Sequence, residues 1–314
     1  MTQPKHIHQV DYIRAIACVG VTLFHLGGKS LPGLKYAWLW IYMFFLLSGF
    51  IICKAIPKNY IWRMAPTFIA KRVSRIEPPY ILSIALVLLL NLIYTRLGYL
   101  QEIKPDWPNL LGHLAYLNNF NGNNYVNPVY WTLGIEFQFY LFVALAFPLV
   151  NSKWGAYFLL ALSIVSYFVH LPWSTMLPMF PVFALGMLYF LYSSKQIKPL
   201  LALLISLPII YISCFNSGWR ETCTALFALL LLALPLKANG IIKFFSTISF
   251  SLYLTHDTIG SNLVVYMGQS LPKTLPFKAL EFGTGIIVSI VFAWVFYLAV
   301  EAPFLKLSKR IVYS

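Results

Sequence analysis

Charge is what this chain has least of. Only 10% of its 314 residues are charged, against about 25% in a soluble domain. Acidic groups are the scarcest, with 9 Asp and Glu against 23 Lys and Arg. Hydrophobic residues make up 60%, and they recur in helix-length apolar runs along the whole chain, which excludes an ordinary soluble enzyme. Cysteine is sparse as well. Cys18, Cys53, Cys214 and Cys223 lie in or beside apolar segments and form no CxxC pair. They read as small core hydrophobes, so neither a disulfide framework nor a zinc site is suggested. The opening MTQPKHIHQ has no small-residue cleavage site, so the first apolar run is expected to remain as a spanning helix.

What is present fits a membrane. The 9 Trp, 20 Tyr and 25 Phe suit interfacial aromatic belts. The formal net charge of +14 comes from basic residues in short loops between apolar runs. They are not interleaved with aromatics, so membrane lipid is the expected partner and nucleic acid is not. The pattern predicts an all-α polytopic integral membrane protein. About ten spans are expected, at 10–27, 36–56, 79–97, 130–150, 154–170, 174–193, 199–215, 221–236, 245–267 and 279–300. Basic residues are about twice as frequent in the loops on the N-terminal side as on the other, which predicts both termini in the cytoplasm. The whole of 1–314 reads as one membrane-embedded domain, with 301–314 a short basic cytoplasmic tail. The longest outer loop, 98–129, either covers an acceptor site or is a polar connector.

Titratable groups at membrane depth are costly and are mostly there for function. The first span, VDYIRAIACVGVTLFHL, carries Asp11, Arg14 and His25. Eleven residues of helix separate Arg14 from His25 by about 16 Å, roughly half a hydrocarbon core. Arg14 therefore falls near one surface and His25 toward the other. Histidine exchanges a proton near neutral pH when its surroundings keep it poised; otherwise it is a packing residue. Asp11 is about 21 Å from His25 along the helix, so Glu136, near the outer end of the fourth span, is the better expected partner. Asp11 and Arg14 share a face and either pair with each other or leave Arg14 for an anionic ligand. Arg72 and Arg75 stand i, i+3 just before an expected helix start at Pro78-Pro79. Guanidinium groups suit bidentate phosphate binding, and the alternative is a lipid anchor. Glu301, at the inner end of the last span, is expected to pair with an arginine. His256 and Asp257 are adjacent, so on a regular helix they point in different directions and are not expected to act as a base and its orienter. His113 and His170 are assigned no role.

In chain order these fragments resemble the acyltransferase-3 family of integral membrane O-acyltransferases. The similarity runs through Asp11-x-x-Arg14 and His25, FFLLSGFII at 44–52, Arg72-x-x-Arg75 followed by Pro78-Pro79, WTLGIEFQFYL at 131–141, SFSLYLTH at 249–256 and VEAPF at 300–304. It covers essentially the whole chain. Two positions depart from the family pattern: Phe137 stands where many members have a second acidic residue, and Glu77 where an aromatic is common.

The resemblance implies transfer of an acyl group, commonly acetyl from acetyl-CoA, to a hydroxyl of a glycan, lipid-linked sugar or glycoside, in a bacterial inner membrane. It implies no permanently bound cofactor and no metal. On this reading Arg14, Arg72 and Arg75 hold the acyl-CoA, and His25 is the general base or a transient acyl carrier. Glu136 orients His25, while Tyr140 or Trp131 steadies the oxyanion. Asp11 and Glu301 support the site. No SGNH-type Ser, Asp and His arrangement follows the membrane part, so the membrane core is expected to complete the transfer or hand the group to a partner. Two competing readings are a carrier exporting a glycan or small anionic metabolite, and a structural membrane subunit.

Overall fold

The computed structural model describes residues 6–96, 106–122 and 124–313. Among them every regular element is helical. The helices are α1 His8–His25, α2 Ile41–Ala55, α3 Ala65–Arg96, α4 Trp107–Leu114, α5 Asn118–Asn121, α6 Trp131–Val150, α7 Gly155–Phe168, α8 Met176–Ser193, α9 Pro199–Asn216, α10 Trp219–Ala233, α11 Gly240–His256, α12 Asn262–Ser270, α13 Leu275–Phe296 and α14 Ala302–Arg310. Each expected span overlaps a described helix. Of the described helical stretches, 6 are long and apolar enough to cross a membrane: Ala37–Ala55, Trp62–Arg96, Pro128–Val150, Met176–Ser193, Pro199–Asn216 and Leu275–Arg310. The chain is an integral membrane protein. Within the expected 98–129 loop, residues 98–105 and 123 lie outside the described residues.

Two elements differ from the sequence expectation. The helix expected to begin at Pro78-Pro79 begins at Ala65 and runs through both prolines. Proline removes an N–H from the helical ladder, yet the helix continues through both. Two turns earlier, Lys71 Nζ donates to the carbonyls of Ser308, at 3.3 Å, and Ile311. This ties α3 to the end of α14. The expected single span 245–267 is interrupted by a π-helical turn, Asp257–Ser261, between α11 and α12.

The core forms around α2 and α8, which meet backbone to backbone. A Cβ added at Gly49 would lie 2.2 Å from the carbonyl oxygen of Phe183, and one at Gly186 would lie 2.0 Å from that of Leu46. Small residues at such crossings let apolar helices approach closely where no water drives them together. On α1, Gly20 does the same for an aromatic. Its missing Cβ would fall 1.7 Å from the Trp40 ring, so the indole lies on the α1 backbone. That contact sets the level of α1 against α2.

Candidate active site

One cavity of about 180 Å³ runs along α2. The residues Ile41, Phe44, Phe45, Ser48, Ile51, Ile52 and Ala55 form one helical face of its wall, a length of about 21 Å at the α-helical rise. Arg14 comes from α1, Arg72 and Arg75 from α3, Thr132, Glu136 and Tyr140 from α6, and Ser249 and Tyr253 from α11. The continuous helix through Lys71–Arg75 is what turns Arg72 and Arg75 to the same side. Most of the remaining wall is aliphatic or aromatic.

The charge in this wall is unbalanced. Three arginines face one carboxylate, and among the described residues no acidic oxygen lies within salt-bridge distance of Arg14, Arg72 or Arg75. Arg72 instead rests over the rings of Phe68 and Tyr140, its guanidinium carbon 5.3 and 5.6 Å from their centroids. Such cation–π contacts position a guanidinium without neutralising it. Glu136 accepts hydrogen bonds from Ser48 Oγ at 3.2 Å and from the Tyr140 hydroxyl. Glu301, buried, accepts from Ser251 Oγ at 2.6 Å and from the Ser251 N–H at 3.2 Å. It lies within electrostatic reach of Arg75 and Arg14 without forming a close pair.

His25 stands apart from this wall. Its Nδ1 is 3.4 Å from Asp257 Oδ1, and its ring meets the His256 ring edge-on, 5.2 Å between centroids. The π turn begins at Asp257. Its wider winding departs from the 100° step of an α-helix, so both His256 and Asp257 lie against His25. His256 is fully buried. Its Nδ1–H donates to Leu252 O at 2.9 Å, which leaves Nε2 as an acceptor, and that atom has no partner. The His256 ring is 6.0 Å from that of Tyr253, itself in the cavity wall. The histidine pair therefore begins one helical turn beyond the cavity.

The remaining expected site residues fall as follows. Asp11 does not pair with Arg14; it bonds to His6 Nε2 at 2.6 Å and accepts from Ser246 Oγ at 2.8 Å. Glu136 sits among the arginines, while the carboxylate at His25 belongs to Asp257. Tyr140 is committed to Glu136. Trp131 packs edge-on against Trp173 and Phe45, 4.8 and 6.3 Å between centroids. Asp257 and His256 are the residues sequence reasoning set aside. Two ionisable groups inside an apolar span were the signal that marked them.

The arginine cavity and the histidine at its far end sit in a chain that matches a known family along nearly its whole length. The acyltransferase-3 model, described as an acyltransferase domain, matches residues 7–298. The chain belongs to this family. Among curated proteins it is similar to the O-acetyltransferase OatA of Staphylococcus aureus strain NCTC 8325, 28% identical over 166 residues, which is 48% of this chain and 25% of that protein. The peptidoglycan O-acetyltransferase OatA of Listeria monocytogenes is 26% identical over 164 residues, 48% of this chain and 25% of its own. The chain thus spans a quarter of the length of the curated relatives it matches. No solved structure matches it.

Proposed function

We propose that this protein is a membrane O-acyltransferase. It takes an acyl group, acetyl in the first instance, from acyl-CoA and passes it to a hydroxyl of a glycan or glycoconjugate. The observation that carries this reading is the cavity with Arg14, Arg72 and Arg75 in its wall and, among the described residues, no ion pair to neutralise them. Buried cations without partners are costly, and an elongated polyanion with an apolar arm resolves that cost. The phosphates of coenzyme A meet the guanidinium groups, and the pantetheine arm follows the aliphatic face of α2. Family membership and the names of the two relatives support the reaction class. The positive charge of the loops supports entry of the donor from the cytoplasm of a bacterial cell, through its inner membrane.

In the transfer step His25 is the general base. Asp257 accepts from His25 Nδ1–H, which fixes the tautomer and leaves Nε2 free, as in other base–orienter pairs. Nε2 takes the proton of the acceptor hydroxyl as its oxygen attacks the thioester carbon. The tetrahedral intermediate collapses with cleavage of the C–S bond, and the leaving thiolate takes the proton back from the imidazolium. Glu136 holds Tyr140 and limits the positive charge of the donor site.

The test uses purified protein in liposomes, labelled acetyl-CoA and a panel of glycan acceptors, with wild type compared to His25→Ala. Donor consumption and labelled ester, both abolished in a folded His25→Ala protein, are expected. Undiminished transfer by that variant refutes the base assignment. Glycan flux across the liposome without any donor replaces the enzyme reading with a carrier.

A further inference from the structure

The other end of α1 carries a second histidine cluster, which the proposed reaction leaves unused. His6 precedes the helix, His8 opens it and Asp11 lies in its first turn. One ring nitrogen of His6, one of His8 and a carboxylate oxygen of Asp11 all fall within 4.8 Å of one another. The two rings meet edge-on, 5.0 Å between centroids and 74° between planes. His8 Nδ1 is closed off from solvent and has no hydrogen-bond partner, an unusual state for a buried ring nitrogen. Asp11 is 7% exposed, and its second oxygen is held by Ser246 Oγ at 2.8 Å.

We propose that His6, His8 and Asp11 form a binding site for one divalent transition-metal ion, with Zn²⁺ the best-matched. Two imidazole nitrogens and one carboxylate suit such an ion, whereas Mg²⁺ and Ca²⁺ prefer oxygen donors. Three protein ligands leave a fourth tetrahedral position for water. With Nδ1 as the proposed His8 ligand, that orphaned nitrogen gains its partner, and Ser246 orients the carboxylate from behind, as outer hydrogen bonds do at metal sites. An ion sits about 2.0–2.1 Å from each ligand, so the 2.6 Å contact between His6 and Asp11 opens as the ion takes the place of any proton they share. The His6 side chain is 61% exposed and free to make that adjustment. The bound ion pins the start of α1 and, through Asp11 and Ser246, ties it to α11.

The experiment uses protein purified without a polyhistidine tag. Zn²⁺ is titrated in competition with a chromophoric chelator, and Co²⁺ uptake is followed through its visible absorption. Wild type is expected to take one ion per chain and to give the strong bands of tetrahedral Co²⁺. His8→Ala and His6→Ala are each expected to weaken binding at least tenfold and to abolish those bands. His170→Ala, at an exposed histidine elsewhere, is expected to match wild type. Because His6 lies exposed ahead of the helix, its variant keeps the test readable if His8→Ala fails to fold. A wild-type protein that takes up no ion, or a His6→Ala/His8→Ala protein that binds as wild type does, overturns the proposal.

Discussion

Replacing Asp257 by Asn tests the proposed chemistry at its most specific point. The carboxylate lies 3.4 Å from His25 Nδ1. At that separation opposite unit charges attract by about 5 kcal/mol at an effective dielectric of about 20, and by about 1 kcal/mol in bulk water. The two side chains are 16% and 20% exposed, so the interaction falls between these limits, at about 3 kcal/mol. The imidazolium it stabilises forms only as His25 takes the acceptor proton, so the loss appears in the transition state. At about 1.36 kcal/mol per tenfold, kcat falls by about 10²-fold, within the usual range for a proton-transfer group. Asparagine can also turn its NH₂ toward Nδ1 and favour the wrong tautomer, which pushes the loss higher. The assay is steady-state transfer from labelled acetyl-CoA to glycan by reconstituted protein. The KM for acetyl-CoA is expected to stay within about twofold, because Asp257 is not in the cavity wall. Glu136→Gln is the contrast: it changes the charge of the donor site and is expected to move that KM more than kcat. Wild-type kcat in Asp257→Asn alongside a dead His25→Ala would falsify the pairing, and a large kcat loss confined to Glu136→Gln would return the orienting role to Glu136.

Other consequences are equally open to measurement. Arg75→Lys keeps the charge but loses the two-pronged donor geometry. A charge-assisted hydrogen bond contributes about 1.5–3 kcal/mol, so KM for acetyl-CoA rises about 10- to 100-fold with kcat nearly constant; an unchanged KM removes Arg75 from the donor site. Gly49→Ala forces a Cβ to 2.2 Å from the Phe183 carbonyl oxygen, and such overpacking destabilises by about 1–3 kcal/mol. Thermal unfolding in detergent should show a lower midpoint, and an unchanged one contradicts the α2–α8 contact. His113, in the short helix α4, accepts from the Val126 N–H through Nε2 at 3.0 Å and bonds Asn109 O through Nδ1 at 2.8 Å, an arrangement that requires the neutral ring. Burial lowers its pKa below the ordinary 6.5, so the unfolded segment binds a proton first. Its contribution is full above about pH 6.5 and fades as pH falls below that value. Once corrected for the intrinsic pH dependence of amide exchange, the protection of the Val126 amide should fall between pH 7.5 and 5.5, and a pH-independent opening constant rejects the coupling.

Much of this architecture was legible in apolar run lengths, because helices are the cheapest way to satisfy backbone groups inside a membrane. The failures are local and have physical causes. Pro78-Pro79 reads as a helix start because proline suits the first turn; here α3 carries it in its interior, with α14 packed alongside. Asp257 was set aside because the 3.6-residue period puts neighbours about 100° apart, and sequence gives little warning of a π turn. The pairing of Asp11 with Arg14 failed for a different reason. Spacing along one helix shows which groups can meet, but Ser246 comes from the far end of the chain, and His6 lies before the helix. The arginines are the opposite case. Their placement on one side depended only on i, i+3 spacing, and α3 preserves it.

The contact between Gly20 and Trp40 gives this helix assembly its scale. Gly20 lies level with Trp40, one residue before α2 begins. Along α1, Arg14 is six residues to one side, about 9 Å, and His25 is five residues to the other, about 7.5 Å. The first distance carries Arg14 down beside the cavity, among Ser48 and Glu136. The second carries His25 past Ile41 at the cavity's end. One rigid helix thus sets the span between Arg14, the proposed anion-facing group, and His25, the proposed base. In the proposed reaction an acyl donor anchored by its phosphates extends along α2 to bring its thioester to His25, whereas a short anion held at Arg14 does not reach. That geometry favours a long donor over a small transported anion on the same set of residues.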